Sequence, residues 1–220
     1  MTHTALAPRG TVDAPPMGEP RQAVVVLGPP APDWLQDWCR QTGRALQARP
    51  DISVGSVAPL TPDAPPDDYL AGRTVWIARQ VPERSPRRIV TAIRRLPDDG
   101  DVLAEAVAAS DYLDASLTIA HAVPLSFAER SVGLDSALAE GRRLLVAAAD
   151  AAATTLPRAR IDYVLVRSRP HELVGETLDA DLLVLGGPGK CRRGGPGMVR
   201  RSALWHAPCP LLLVAKRTGS

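Results

Sequence analysis

Residues 182–214 read LLVLGGPGKCRRGGPGMVRRSALWHAPCPLLLV, and they constrain the fold more than any other stretch of the 220-residue chain. An apolar run ends in glycines, and a Gly-rich basic loop follows. A short helical segment, Ala207-Pro208-Cys209-Pro210 and a second apolar run complete the stretch. Strand, glycine loop, helix, strand is how a parallel α/β sheet presents backbone N–H groups and a helix N-terminus to a phosphate. Glycine suits such a loop because its N–H groups can turn inward and a ligand can approach closely. The same glycines (Gly186, Gly187, Gly189, Gly194, Gly195 and Gly197) would also serve a plain turn.

The chain before this stretch repeats the alternation. Arg88–Ile93, Leu117–Ala120, Ile161–Val166, Leu182–Leu185 and Leu211–Val214 read as short strands. The spacing predicts a helix from Asp101, with Leu103, Ala106, Val107, Ser110 and Leu113 inward. It predicts a longer one over 135–155, with Leu138, Gly141, Leu145, Ala148 and Ala152 on one face, a short one opening at Pro170, and a last one over 198–206. Residues 86–217 therefore read β-α-β-α-β-α-β-α-β: an α/β domain with a five-stranded parallel sheet and helices on both faces. Ligands in such folds sit at the carboxyl ends of the strands, where the strand order reverses. The loops after Ile93, Ala120 and Gly186 are the expected walls.

Residues 21–85 read as a short N-terminal α/β extension. Gln22–Gly28 is a buried-type strand, and Asp33 is placed to cap a helix over 34–48 bearing Trp34, Leu35, Trp38 and Leu46. A weak strand over 52–57, a linker over 58–68 and a strand at Thr74–Ala78 follow. The extension is about half the length of a full second copy of the fold. It is either a truncated copy or a cover for the sheet edge. Residues 1–20, rich in proline and small residues, read as a disordered tail.

Composition excludes more than it selects. The formal net charge is +2, which calls for neither nucleic acid nor an anionic membrane. Three cysteines far apart (Cys39, Cys191, Cys209) form no metal pair and fit a reducing cytoplasm. No apolar run nears the roughly 18 residues that span a bilayer, and residues 1–20 contain no apolar core of a secretory signal.

Residues 86–217 resemble the universal stress protein family, whose fold is that of the adenine nucleotide alpha-hydrolase-like group. The family has the same five-strand alternation, a late strand ending in glycine, and a loop of the form G-x-x-G-x9-G-[S/T]. A helix and A-P-C-P before a final Val/Leu-rich strand complete its pattern. Asp181–Gly186 matches the strand, Gly186-x-x-Gly189 and Gly197 the loop, and His206–Val214 the exit. Pro170-His171-Glu172-Leu173 resembles the helix start before that strand. Leu117–Val123 looks like the second strand with its His-x-Val ending. The resemblance implies a pocket for ATP or another adenine nucleotide. Its walls would be Thr91, Ala92, Ile93 and Arg94 after the first strand, and Ala122 and Val123 after the second. Gly186, Gly187, Gly189, Lys190, Arg192, Arg193, Gly197, Met198 and Val199 would build the loop side. It also implies a homodimer through Leu211–Val214.

Three departures fall in this pocket. Seven residues separate Gly189 from Gly197 where the ATP-binding pattern has nine. Met198 stands where a hydroxyl residue would hold phosphate, a hydrogen bond worth roughly 0.5–1.5 kcal/mol. Arg94 stands where ATP-binding members carry an acid. Five basic residues from Lys190 to Arg201, with no acid between Leu182 and Lys216, could grip a small anion instead. The expectation is a non-catalytic, dimeric, universal-stress-type protein with an altered nucleotide pocket. The alternatives are a genuine ATP binder using Lys190, Arg192 and Arg193, and an ATP-using hydrolase or transferase, for which no catalytic carboxylate, triad or metal set is evident.

Overall fold

The structure is a computed structural model that describes residues 23–49, 73–78, 80, 82, 84–123, 133–187 and 198–215. The tail 1–20, the strand expected over 52–57 and the linker 58–68 lie outside the described residues. Among the described residues eight strands form one sheet: β1 (Val24–Leu27), β2 (Leu46–Ala48), β3 (Thr74–Ile77), β4 (Arg88–Ala92), β5 (Ser116–Ala122), β6 (Ile161–Val166), β7 (Leu182–Gly186) and β8 (Leu211–Val214). Their order is β2-β1-β3-β8-β7-β4-β5-β6. The last five positions hold the β-α-β unit expected from the sequence, all parallel. The sheet is wider than the expected five strands because the N-terminal strands join its edge. There β3 runs antiparallel to β8, with Trp76 opposite Leu212.

That junction covers the strand through which a homodimer was expected. β8 is paired by β7 on one side and β3 on the other, so Leu211–Val214 is no open edge. An apolar edge strand invites a partner, and here the partner is a segment of the same chain. Thr74 adds a tie, its Oγ1 accepting the Ala215 N–H at 3.2 Å.

The four-residue runs VVVL, TVWI and LLLV are buried along their whole length. A strand covered on both faces has no polar side to show, so it reads as a continuous apolar run. One face packs under α1 (Asp33–Gln41), α2 (Gly100–Leu113) and α3 (Leu134–Ala152), with Trp38, Trp76, Ile89, Leu117, Leu145, Val184 and Leu212 in its core. The other face packs under α4 (Met198–His206) and the turns around Val174, with Leu27, Val75, Leu183, Ala203 and Leu213.

Several local expectations change. α1 stops at Gln41: Thr42 N–H donates to the Trp38 carbonyl, and Gly43 turns the chain at φ +66°. Leu46, expected on the helix stripe, begins β2 instead. Asp33 is the first residue of α1 and makes no side-chain cap; Pro32 precedes it. α2 opens at Gly100 rather than from an Asp101 cap. Residues 170–177 form successive turns, not a helix.

Asp181 clamps the amino ends of β4 and β7. Its Oδ2 accepts the N–H groups of Arg87 (3.0 Å) and Arg88 (2.9 Å), and its Oδ1 the Arg88 guanidinium (3.1 Å). Partial burial works to raise its pKa, but these donors outweigh it and hold the carboxyl below the usual range. A carboxyl depressed in the folded state adds stability that is whole above its unfolded pKa, about 3.9, and fades as pH falls through the lower folded value. Asp181→Asn should cost about 1 kcal/mol at pH 7, a hydrogen-bond-sized loss discounted for solvent exposure. Urea midpoints of variant and wild type should converge below about pH 3.

Candidate functional site

The chain enters its parallel unit at β4, builds β5 and β6 on one side, then crosses to build β7 and β8 on the other. The connections leave the carboxyl ends of β4 and β7 in opposite directions, which opens the crevice expected for this topology. Ala92–Arg94 form one lip and Gly186–Gly187 the other.

The floor is used internally. Thr91 is fully buried, and its Oγ1 donates to the Val184 carbonyl at 3.1 Å, tying β4 to β7. It was expected to face a ligand; its hydroxyl is committed to the sheet. Ile93 N–H donates to the Ala120 carbonyl at 3.0 Å. Arg94 is exposed on the lip. The N–H groups of Arg94 and Arg95 donate to Asp99 Oδ2 at 2.7 and 3.1 Å, so this carboxylate folds back to close the loop. Asp98 pairs with Arg95. Asp98 and Asp99 thus both have partners within the loop.

At Gly187 the opposite lip has no room for a side chain. A Cβ on Gly187 would stand 2.8 Å from the Val214 carbonyl oxygen, closer than Cβ atoms approach. The Gly187 N–H donates to that oxygen, and its own carbonyl accepts Arg200 Nη1 at 3.0 Å. Arg200 therefore reaches back from α4 to the end of β7 and ties together the two ends of the glycine loop. Met198 opens α4 and is 72% exposed; Val199 packs on the second core. Gly189, Lys190, Cys191, Arg192, Arg193 and Gly197 lie outside the described residues.

Ala122 ends β5, and Val123 N–H donates to the Val166 carbonyl at 2.9 Å. His121 Nδ1 lies 2.9 Å from the Ile93 carbonyl. A carbonyl only accepts, so Nδ1 carries the proton in this pair. The ring packs on α3, where a Cβ at Gly141 would come within 3.0 Å of His121 Cδ2 and 2.7 Å of Leu165 Cδ1. His121 is a brace between the β4 exit and α3. Glycine inside a helix costs about 1 kcal/mol against alanine, so Gly141 was the sequence signal for a close neighbour. The Arg200 and Asp99 contacts carried no such signal.

Among the described residues, no group of three or more His, Cys, Asp or Glu side chains could hold a metal ion. No described helix is long and apolar enough to cross a membrane. Burial pushes the Cys39 thiol up to about 11 and the Cys209 thiol up to about 12. Neither is primed as a nucleophile.

No protein-family model matches the chain, and no curated protein matches it in sequence. Solved structures do match. A universal stress protein in complex with cAMP is 18% identical with a TM-score of 0.50, over 61% of this chain and 100% of that one. The fold is that of the universal stress proteins. The UspA protein of Lactobacillus plantarum is 20% identical with a TM-score of 0.49, over 59% of this chain and 97% of that one. A protein of unknown function from Pseudomonas aeruginosa is 14% identical with a TM-score of 0.47, over 88% and 82%. Within the universal-stress fold, the lips described above are the carboxyl ends of the first and fourth strands of the parallel unit.

Proposed function

We propose that this chain is a non-catalytic regulatory protein of the universal-stress type, with a crevice that takes an adenine nucleotide bearing one phosphate, without a metal. The observation that carries this is the pairing of lips. Exposed Arg94 follows β4, and Gly187, which has no room for a side chain, follows the neighbouring β7, while Asp98 and Asp99 are both engaged within the loop. A magnesium triphosphate asks for a free acid and a phosphate-binding hydroxyl. The described rim supplies a guanidinium, and Thr91 has given its hydroxyl to Val184. A single phosphate needs one cation and a few N–H donors. The solved universal stress protein with cAMP supports this ligand class.

Titration calorimetry of the full chain with cAMP, AMP and ATP, each with and without magnesium, tests the reading. The monophosphates should bind without magnesium, and Arg94→Ser should weaken them about fivefold, as loss of a partly exposed ionic contact does. No ADP should be released from ATP. ATP binding tighter than about 100 µM only with magnesium, roughly −5.5 kcal/mol, would replace this reading with an ATP pocket using Lys190, Arg192 and Arg193. Absence of binding by every nucleotide at 1 mM, about −4.1 kcal/mol, would end it.

A further inference from the structure

The described sheet ends in the three-residue β2 on one side and the six-residue β6 on the other. β6 is paired by β5 along its inner side, and among the described residues nothing pairs its outer side. Short edge strands, prolines and lysines are the usual protection against stray pairing. β6 (IDYVLV) is long, has neither proline nor lysine, and exposes Tyr163 (52%) and Val164 (40%). We propose that the outer edge of β6 is a docking site for an extended segment of a partner protein, which adds to the sheet as a further strand and carries acidic side chains on the face toward α3.

Apolar surface marks the place. Among the described residues four large apolar side chains are exposed, and three of them, Val146, Tyr163 and Val164, lie on β6 or on the helix packed over it. Leu117 faces the first core and pairs with Ile161, so Ile161, Tyr163 and Leu165 face α3, and Asp162 and Val164 the opposite side. Gly141 of α3 lies against Leu165. α3 runs antiparallel to β6, so two residues back along the strand, about 6.6 Å, match about four residues onward in the helix. Leu145 and Val146 are thus level with Tyr163. A right-handed β5-α3-β6 crossover turns Leu144 toward α2, and Arg142 and Val146 toward the open edge. In agreement, Leu144 is partly buried against the core and Val146 is 45% exposed.

Charge selects the partner. Arg142 precedes Val146 by one turn on the same flank, and Arg167 leaves the carboxyl end of β6. Both are exposed, and neither makes an ion pair among the described residues. The acids on this flank do not neutralise them: Asp150 pairs with Arg158, and Asp135 stands about two turns from Arg142 along α3. An incoming strand would set an apolar side chain over Tyr163 and Val146 and, two residues on toward Arg142 and Arg167, an acid. On the other face Asp162 is exposed beside Val164 and would repel an acid. Acidic residues therefore belong at alternate positions, on the α3 side alone. A second copy of this chain fits poorly. Two-fold pairing about Val164, which is level with Arg142 and Arg143, would set the arginine flanks of the two α3 helices against each other, like charge to like.

Nuclear magnetic resonance of the full chain, with no nucleotide present, tests this with the end-blocked peptides TVVETE, TVVKTK and TVPETE. The first carries valine and two glutamates on one face, the second reverses its charge, and the third holds a proline that cannot donate to a strand ladder. TVVETE should shift the Ile161–Val166 amides and the Tyr163 ring signals saturably up to about 5 mM, and slow the solvent exchange of the outward amides. TVVKTK and TVPETE should each bind at least about fivefold more weakly. Arg142→Ser should weaken TVVETE about fivefold, as loss of one exposed ionic contact does, and should not weaken TVVKTK. If Arg142→Ser loses native signal dispersion, Val146→Glu on the same exposed flank must weaken TVVETE in its place. Absence of a saturable shift would overturn the proposal. So would equal binding of the glutamate peptide and either control, or unchanged TVVETE binding in a folded variant. Shifts confined to β2 or to the Ile93 and Gly187 amides would also overturn it, by putting the peptide elsewhere. The same holds for β6 shifts that follow the concentration of the chain alone, which would give the edge to a second copy.

Discussion

Glu105→Ala should destabilise the fold by about 3–5 kcal/mol, the cost of stranding a buried charge. The charge is Arg44, from the N-terminal extension. Its side chain is 13% exposed and that of Glu105 11%. The pair is bidentate, with Nη2 to Oε2 at 2.8 Å and a second bond from Nη1 to Oε1. The guanidinium also lies 4.8 Å from the Trp38 ring centroid. Burial works against the charge on Arg44, but the hydrogen bond and charge of Glu105 outweigh it and hold its pKa above the usual value. Removing Glu105 deletes the compensation and leaves the burial. The double variant Arg44→Met with Glu105→Leu should recover most of the loss, since an apolar pair of similar volume carries no desolvation cost. Urea unfolding at pH 7 measures both. A loss below about 1 kcal/mol for Glu105→Ala is the size of a solvent-exposed ion pair. It would show that the extension is not held against α2 in this way. The pair also bears on the site. α2 begins directly after the loop closed by Asp99, so Arg44 anchors the helix that follows the Arg94 lip.

The sequence exposed the elements of the parallel unit and hid their wider neighbours. Strands such as Leu182–Gly186 and Leu211–Val214 were legible because burial on both faces leaves an unbroken apolar run. The resemblance in Gly186, Gly189, Gly197 and Ala207–Pro210 then named the fold. Neither signal says which strand pairs with which. The antiparallel contact of β3 with β8 joins residues far apart in sequence, and TVWI looks the same beside any apolar partner. Leu46 falls on the helical period of α1, so only the left-handed turn at Gly43 separates helix from strand there. Glu105 interrupts an otherwise apolar helix face because its partner, Arg44, lies 61 residues away. At the crevice, the positions of the lips followed from topology. The engagement of Thr91 with Val184, of Asp99 with two N–H groups and of Arg200 with Gly187 did not, since each depends on backbone atoms that composition does not specify.

Trp76→Ala should cost about 3–5 kcal/mol, as large-to-small changes at fully buried aromatics do, and should also change how the molecule associates. Trp76 is fully buried in the middle of β3, opposite Leu212 of β8, and meets Trp34 of α1 edge-on with ring centroids 5.1 Å apart. It thus fastens β3 both to the sheet and to the helix above it. With β3 in place, β8 has no free edge, and sedimentation of the wild-type chain should give the monomer mass of 23.4 kDa. With the indole removed, β3 should separate from β8 more often and expose LLLV, an apolar edge able to pair with a second molecule. The variant should therefore sediment with a mass that rises with concentration, while a surface change such as Val146→Ala should not. Leu212→Glu, by contrast, should unfold the chain, because it places a charge in a strand covered on both faces. A wild-type dimer would mean that copies meet elsewhere than at β8. A Trp76→Ala chain as stable and as monomeric as wild type would mean that β3 does not close the β8 edge.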